Sequence, residues 1–239
     1  MIDELLPAAV ACAERFDDAD AVTPYPEEEA VVARSVAERR DSFHTVRRCA
    51  RLALAELGLP AAPILPGPKG EPRWPAGLVG SMTHCTGYRG AVLAHATALA
   101  GLGIDAEPHK PLPQGVLETV ALPAERDRLA RLGSAHPGIH WDRLLFSAKE
   151  SVYKVWFPLT REWLDFDEAD ITLLPDGRFM ARLLVPGPVV AGRRVPVLAG
   201  RWLVGGGLGL TAIALGPAGE SMTDTPAGLG SGRAVTDLP

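Results

Sequence analysis

The 239-residue chain has few cysteines and no excess of positive charge, and each absence excludes a class of protein. Its three cysteines, Cys12, Cys49 and Cys85, are odd in number and show no paired spacing. This argues against a disulfide framework or a structural zinc site and favours a reduced, cytoplasmic setting. The net charge of -5 argues against a general nucleic-acid binder, whose affinity would come from a basic surface. Any site for phosphate groups must therefore be local.

The sequence also has no long uninterrupted apolar run. Acidic residues at positions 3 and 4 stand where an export signal would carry positive charge. The most apolar stretch, residues 195–215, is broken by Arg201 and by three glycines at 205–207. That pattern favours a hairpin over a membrane span, so we expect neither an export signal nor a membrane segment.

Apolar periodicity and turn residues predict the order of helices and strands along the chain. A helix is predicted at residues 27–58, with a break near Asp41, followed by three strands of one antiparallel meander. These strands are predicted at 79–84, 90–95 and 98–105. After a loop rich in proline, helices at 123–132 and 141–159 precede a second set of strands. The second set is predicted at 171–174, 179–184, 196–204 and 208–215.

This order, with helices before strands in each half, predicts an α+β fold rather than a doubly wound sheet. We expect two similar half-domains related by a pseudo-twofold axis, residues 1–108 and 109–216, with the active site at their interface. Each half-domain is predicted to pack helices on a small antiparallel sheet. The final segment, 217–239, is rich in small and polar residues and is expected to be a mobile tail without a role in the chemistry.

Two acidic residues in the sequence Gly-Ile-Asp-Ala-Glu at 103–107 have the spacing of neighbours on one face of a strand. Asp105 and Glu107 would repel each other there. A hard divalent cation such as Mg²⁺ would make the pairing favourable, because it prefers carboxylate oxygens and leaves room for substrate phosphates. The pair therefore indicates phosphate chemistry.

A second motif lies in the predicted helix at 141–159. At about 100° per residue, Arg143, Ser147, Glu150 and Lys154 fall on one narrow stripe. Apolar residues cover most of the remaining circumference, with Lys149 as the main exception. An exposed face with an ordinary Glu150–Lys154 ion pair is one explanation. Because so apolar a helix should be largely buried, we expect the stripe to line a cleft instead.

With these residues in place, the chain resembles the 4'-phosphopantetheinyl transferases of the Sfp type, near their actinobacterial and enterobactin-synthase-activating branch. Three motifs match in order: Ser-Met-Thr-His-Cys at 81–85 with Gly87-Tyr88, the acidic motif at 103–107, and F-x-x-K-E-x-x-x-K at 146–154. The resemblance implies transfer of 4'-phosphopantetheine from coenzyme A to a serine hydroxyl of an apo acyl or peptidyl carrier protein. Adenosine 3',5'-bisphosphate would be released.

The resemblance also implies roles for the residues of both motifs. Asp105, Glu107 and Glu150, with the backbone carbonyl of Ala106, would hold Mg²⁺, or Mn²⁺ in its place, against the coenzyme A pyrophosphate. Lys154 would contact the pyrophosphate and stabilise the leaving bisphosphate. Glu150 is also the family's usual candidate for the base that takes the serine proton. A metal-bound carboxylate is a weakened base, so a water molecule or Glu107 is the alternative.

Coenzyme A carries a further 3'-phosphate, and the first half supplies cations for it. Arg40, His44, Arg47 and Arg51 share one stripe of the predicted helix, which is either a phosphate clamp or a solvated basic face. By resemblance, Arg39 and Arg47 are the preferred contacts and Arg51 is structural. Trp163 either borders the pantetheine channel or lies in the core. The remaining implied coenzyme A contacts are Gly67, Pro68, Lys69, Thr83, His84, Asp105, Glu150 and Lys154.

Two competing functions use the same residues. One is another Mg²⁺-dependent phosphoryl or nucleotidyl transferase or hydrolase, and the other is a coenzyme A-binding module without catalysis. The presence of both Glu150 and Lys154 disfavours the second. No segment identifies the carrier proteins, which could serve fatty-acid, polyketide, nonribosomal peptide or siderophore pathways. Because two half-domains in one chain can build the whole site, we expect a monomer that contacts its carriers transiently.

Overall fold

The computed structural model describes residues 1–18 and 24–222. Two antiparallel sheets are each packed against one 20-residue helix. In chain order the strands and helices are β1 (Ala11–Arg15), α1 (Pro26–Val32), α2 (Ala37–Glu56), β2 (Leu78–Cys85), β3 (Tyr88–His95), β4 (Gly101–Pro108), α3 (Val116–Val120), α4 (Pro123–Ala135), α5 (Trp141–Thr160), β5 (Ala169–Leu173), β6 (Arg178–Leu183), β7 (Val189–Val190), β8 (Arg193–Arg194), β9 (Val197–Gly205) and β10 (Leu208–Leu215). Within the described ranges no helix has an apolar stretch long enough to cross a bilayer.

The predicted first helix is two helices, α1 and α2. The break falls at residues 33–36, where Val36 is extended, and not near Asp41 as predicted. Helix α2 passes through Asp41 without interruption because its apolar side packs on β1 and β3 further along. It ends at Glu56, and Gly58 follows with a left-handed φ of +72°, as expected for the residue after a helix.

The first sheet has the strand order β1-β3-β2, and the second has the order β4-β10-β9-β6-β5. The predicted meander is correct for β2 and β3 and wrong for its third strand, because β4 pairs antiparallel with β10. The predicted half-domain boundary at residue 108 lies at the end of β4 and places this strand in the first half. The hydrogen bonds of β4 to β10, however, make it part of the second sheet. Strand β1, which the sequence patterns did not predict, occupies the far edge of the first sheet.

The pairing of β4 follows from the core that the two sheets share. Leu102, Ile104 and Ala106 of β4 are buried together with Tyr88 and Val92 of β3. Separate cores lie beneath α2 on the first sheet and beneath α5 on the second. The apolar face of β4 therefore packs against the first sheet while its hydrogen bonds join the second, and this brings the α+β halves together.

The first residues of the predicted mobile tail hydrogen-bond to the second sheet. Met222 donates from its backbone N–H to the Ala214 carbonyl at 2.9 Å, and the Ala199 N–H donates to Ser221 Oγ at 2.8 Å. Residues 217–222 of the predicted tail thus include hydrogen bonds to β9 and β10, and the mobility of the tail stays a prediction. Residues 223–239, the rest of the predicted tail, lie outside the described residues.

Candidate active site

Strand β4 has a second face, which lies against α5. Gly103 lies on this face, and a Cβ atom there would stand 2.1 Å from the Ser151 carbonyl oxygen of α5. Only glycine permits so close an approach. Asp105 and Glu107 follow at intervals of two and share the face, as their spacing predicts. The polar residues of α5 are thereby brought within hydrogen-bonding distance of the strand.

Lys154 of α5 joins the helix to β4. Its Nζ donates to Asp105 Oδ1 at 2.8 Å and to the Ile104 carbonyl at 2.9 Å. Asp105 is buried, and its other oxygen, Oδ2, is buried without a hydrogen-bond partner. Since a buried carboxylate oxygen without a partner is unfavourable, Asp105 Oδ2 is an acceptor suited to a ligand.

Glu107 is held by Arg143, one end of the polar stripe. Arg143 Nη1 donates to Glu107 Oε2 at 2.9 Å, and its other nitrogens donate to the carbonyls of Lys110 and Pro111. Ser147, in the middle of the stripe, is buried and hydrogen-bonds to Thr211 Oγ1 of β10 at 2.9 Å. The stripe therefore faces the second sheet rather than bulk water.

Glu150, one turn before Lys154, is only partly buried. Burial raises the pKa of the Glu150 carboxyl, Lys154 opposes this rise, and Asp105 adds to it. Burial also raises the pKa of Glu107, and Asp105 adds to this rise while Arg143 opposes it. Each glutamate therefore senses the charge of Asp105, so the three carboxylates are electrostatic neighbours.

These acids do not form a completed metal site. Within residues 1–18 and 24–222, no three His, Cys, Asp or Glu side chains are gathered closely enough to hold a metal ion. Two of the three predicted ligands instead pair with cations, Asp105 with Lys154 and Glu107 with Arg143. Ala106, the predicted carbonyl ligand, lies between them in β4 with its side chain in the shared core.

Lys149 has a structural environment despite its place in the motif. It is buried, forms an ion pair with the buried Glu125 of α4 at 2.9 Å, and donates to the carbonyls of Phe166 and Ala169. These contacts join α5 to α4 and to the start of β5. Among the polar residues of this helix, Lys149 is thus directed away from the site.

Some basic residues of α2 make structural contacts, and others are exposed to solvent. Arg51 pairs with the buried Glu28 at 2.9 Å, in agreement with its predicted structural role. Arg47 is also buried and donates to the Ile64 carbonyl at 2.8 Å, and burial lowers its pKa to about 10. Arg39 is exposed. Of the two arginines preferred as 3'-phosphate contacts, Arg39 is therefore exposed to solvent, whereas Arg47 donates to the backbone carbonyls of Ile64 and Phe43.

His84 and Thr83 stand at the end of β2, beside β4. Partial burial lowers the pKa of the His84 imidazole, and nearby cations, Lys154 first and then Arg89 and Arg39, lower it further. Cations from both halves thus act on His84, and the Asp105 carboxylate opposes their effect on its pKa. Thr83, predicted to contact coenzyme A, is buried and donates to Asp105 Oδ1 at 3.2 Å.

The predicted loop of Gly67, Pro68 and Lys69 lies near the end of α5. Arg161, just after the helix, pairs with Glu71 of this loop at 3.2 Å. A Cβ at Gly67 would stand 2.1 Å from Glu71 Oε1, so the Glu71 carboxylate lies close over this glycine. The loop thus links the first half to the second, with the Lys69 side chain exposed.

Trp163 is 64% exposed, so the interpretation of it as a core residue is wrong. The short segment after α5 carries it outward, and its Nε1 donates to Asp165 Oδ1 at 2.6 Å. Its ring centroid lies 5.1 Å from that of Tyr153, and it borders a cavity of about 310 Å³. The sequence patterns did not identify Tyr153 as a site residue. Its position three residues after Glu150 places the two side chains next to each other on the helix, and this spacing was a usable signal.

A strand with two carboxylates faces a helical lysine, and cations from α5, β3 and α2 lie near His84 on the adjoining strand. This arrangement points to an enzyme that acts on phosphate groups. Family models extend this conclusion to both halves. Residues 27–94 match the 4'-phosphopantetheinyl transferase N-terminal domain, and residues 101–202 match the 4'-phosphopantetheinyl transferase superfamily. The chain belongs to this superfamily. It transfers the phosphopantetheine group from coenzyme A to carrier proteins, as the sequence motifs predicted.

Full-length relatives agree with this assignment. The chain is 56% identical to 4'-phosphopantetheinyl transferase Svp of Streptomyces mobaraensis, over 99% of this chain and 98% of the relative. It is 53% identical to PptT of Mycobacterium tuberculosis over 90% of this chain and 98% of the relative. A more distant relative, enterobactin synthase component D of Salmonella typhi, is 35% identical over 59% of this chain and 58% of its own length.

Proposed function

We propose that this enzyme performs the transfer with Asp105, Glu107 and Glu150 as ligands of Mg²⁺ and Lys154 as the cation that contacts the coenzyme A pyrophosphate. The contact of Lys154 with Asp105 carries this proposal, because it places an ammonium group beside a buried carboxylate with one free oxygen. An all-oxygen donor set suits a hard cation, with Mn²⁺ as a substitute. When bound, the metal supplies positive charge against the pyrophosphate.

Lys154 contributes mainly through its position. Phosphoryl transfer requires positioning and neutralisation of charge rather than covalent help from the protein. The Ile104 carbonyl and Asp105 hold Nζ in place before substrate binds, so little reorganisation is needed when charge develops on the leaving adenosine 3',5'-bisphosphate. The Ala106 carbonyl is proposed as a further metal ligand.

Glu150 is also our candidate for the base that accepts the proton of the carrier serine. Burial raises the pKa of both Glu150 and Glu107, so this effect does not separate them as bases. One observation favours Glu150. Glu107 is engaged by Arg143, which opposes proton uptake at its carboxylate.

The remaining contacts are proposed along the length of coenzyme A. His84 and Arg39, which lowers the pKa of His84, would bind the 3'-phosphate, and Arg47 of the same helix as Arg39 is proposed as a further contact. The backbone of Gly67 and Pro68 and the side chain of Lys69 would face the nucleotide. Trp163, exposed next to Tyr153, would border the pantetheine arm.

The carriers are proposed to be apo acyl and peptidyl carrier proteins, bound transiently by a cytoplasmic monomer. The name of the Salmonella relative, an enterobactin synthase component, supports a carrier in siderophore or nonribosomal peptide assembly. Polyketide and fatty-acid carriers remain part of the proposal because the family acts on carrier proteins generally. Size-exclusion chromatography with light scattering tests the oligomeric state.

The central test is to incubate the enzyme with coenzyme A, Mg²⁺ and apo carriers of both classes, and to follow the carrier mass. We expect addition of phosphopantetheine that stops in EDTA and resumes with Mg²⁺ or Mn²⁺. Full activity in EDTA would exclude the metal. Cleavage of the pyrophosphate without a carrier would favour a hydrolase instead. The Asp105→Asn and Glu107→Gln variants should each bind Mn²⁺ more weakly in direct calorimetric titrations.

A further inference from the structure

The two sheets meet where β2 runs beside β4. These strands are not hydrogen-bonded neighbours in either sheet. Two buried hydroxyl groups of β2 instead accept hydrogen bonds from amides of β4. The Ile104 N–H donates to Ser81 Oγ at 3.1 Å, and the Ala106 N–H donates to Thr83 Oγ1 at 3.2 Å. The two β2 hydroxyls thus accept hydrogen bonds that the backbone carbonyl groups of a neighbouring strand would otherwise accept.

The two hydroxyls differ in one further bond. Thr83 Oγ1 also donates to Asp105 Oδ1 at 3.2 Å, whereas Ser81 makes no corresponding contact with a carboxylate in the described ranges. A hydroxyl has a single proton to donate. Because Thr83 accepts from Ala106 and donates to Asp105, its orientation is fixed at both ends. A β-branched side chain also has few rotamers, which limits its movement.

Asp105 Oδ1 consequently receives two donors from different elements, Thr83 of β2 and Lys154 of α5. Two donors on one oxygen hold the carboxylate plane in a defined orientation. The other oxygen, Oδ2, is left buried and unpaired. If the Thr83 bond were lost, the carboxylate could rotate about its Cβ–Cγ bond and bring Oδ2 to Lys154.

We propose that Thr83 is a positioning residue, whose hydroxyl reaches from the first sheet to orient Asp105 so that Oδ2 faces the metal position. This differs from the direct coenzyme A contact that the sequence predicted for Thr83. The inference rests on the proposed function, since it requires Asp105 to be a metal ligand. It also links the strand that carries His84 to the acidic residues of the second sheet.

The experiment compares three single variants in the full-length enzyme. Thr83→Val keeps the shape and removes the hydroxyl, and Thr83→Ser keeps the hydroxyl. Ser81→Ala is the matched control, because it removes the equivalent hydroxyl-to-amide bond without touching Asp105. Mn²⁺ affinity is measured by electron paramagnetic resonance in the absence of coenzyme A and carrier. Unfolding midpoints and steady-state constants are measured in parallel.

We expect Thr83→Val to weaken Mn²⁺ binding by roughly tenfold, as for other groups that orient metal ligands, and Thr83→Ser to restore it. Ser81→Ala should lower the unfolding midpoint while its Mn²⁺ affinity stays within about twofold. Unchanged Mn²⁺ affinity in Thr83→Val, with a raised KM for coenzyme A alone, would overturn the inference and restore the predicted direct contact.

Asp105→Asn separates failure of this inference from failure of the proposed function. If Asp105→Asn loses Mn²⁺ binding and Thr83→Val does not, the metal assignment stands and the positioning role is wrong. If Asp105→Asn binds Mn²⁺ as tightly as the parent enzyme, the metal assignment itself is wrong, and the role of Thr83 is rejected with it.

Discussion

Helices α2 and α5 have the same length and each crosses a sheet, yet their charged residues act differently. Two cations of α2, the buried Arg47 and the partly buried Arg51, contact a backbone carbonyl and a structural glutamate. Those of α5 that face β4, Arg143 and Lys154, contact carboxylates on the strand. A charged stripe on a buried helix therefore forms a site only where the opposite strand supplies side chains of the other sign.

The two helices also approach their sheets in different ways. Helix α2 packs through its own small residues, Ala50 and Ala53, against apolar strand residues. Helix α5 comes close because β4 has glycine at Gly103. Small residues on the helix allow packing, whereas a glycine on the strand brings the helix backbone next to the acids. The following predictions test this contrast, starting with the largest expected effect.

Lys154→Met should reduce kcat by roughly 100- to 1000-fold, because it removes a positioned cation from the leaving group. Steady-state transfer to an apo carrier, measured by carrier mass, checks this. Lys110→Met, on the exposed loop after β4, is the control and should change kcat by less than about twofold. Retention of more than about a tenth of the parent kcat in Lys154→Met would exclude the proposed role.

Glu28→Gln should lower the free energy of unfolding by about 3 kcal/mol, because Glu28 is fully buried and its loss leaves the partly buried Arg51 without a counter-charge. Activity per folded molecule should persist, since the Glu28–Arg51 pair has no proposed contact with coenzyme A. Urea unfolding measures the loss. Glu29→Gln breaks a more exposed pair with His44 and should cost less than about 1 kcal/mol. Equal losses in the two variants would contradict this distinction.

Gly103→Ala should destabilise the fold by about 1–3 kcal/mol and also lower kcat, because the added methyl group pushes α5 away from β4. Thermal unfolding and transfer kinetics measure the two effects. Gly133→Ala in α4 is the matched control, since a Cβ there meets no atom within 4 Å. It should stabilise the helix by up to about 1 kcal/mol. A neutral Gly103→Ala would show that close helix approach is not required.

Arg39→Gln should have the smallest effect on the fold, with a change in unfolding free energy below about 0.5 kcal/mol, because its side chain is exposed. Its effect should appear in substrate recognition. The KM for coenzyme A should rise roughly fivefold, whereas the KM for 3'-dephospho-coenzyme A should stay constant. A parallel rise for both substrates would place Arg39 away from the 3'-phosphate.

The local geometry of the site could be predicted because it depends on short-range periodicity. The period of two in β4 places Asp105 and Glu107 on one face, and the helical period of α5 aligns Arg143 with Lys154. The partner strand of β4 could not be predicted. Its sequence suits either sheet, since its apolar face packs on a core that both sheets share.

Other features could not be predicted from the sequence because they depend on contacts between residues that are distant along the chain. Nothing near Thr83 in the sequence indicates that its hydroxyl meets Asp105, and nothing near Trp163 indicates exposure rather than burial. The burial of Lys149 depends on Glu125, which lies in another helix. The motif identifies the residues that matter, but only the packed structure shows which of them contact each other.

The alternation along β4 limits how this enzyme can change over evolution. Each step along the strand switches between the core shared by the sheets, as at Ile104, and the face next to α5, as at Asp105. A single inserted residue would reverse the two sets, burying the acids among apolar side chains and turning aliphatic residues toward the helix. Homologous enzymes can therefore differ in the composition of this strand, but they should share its length and register.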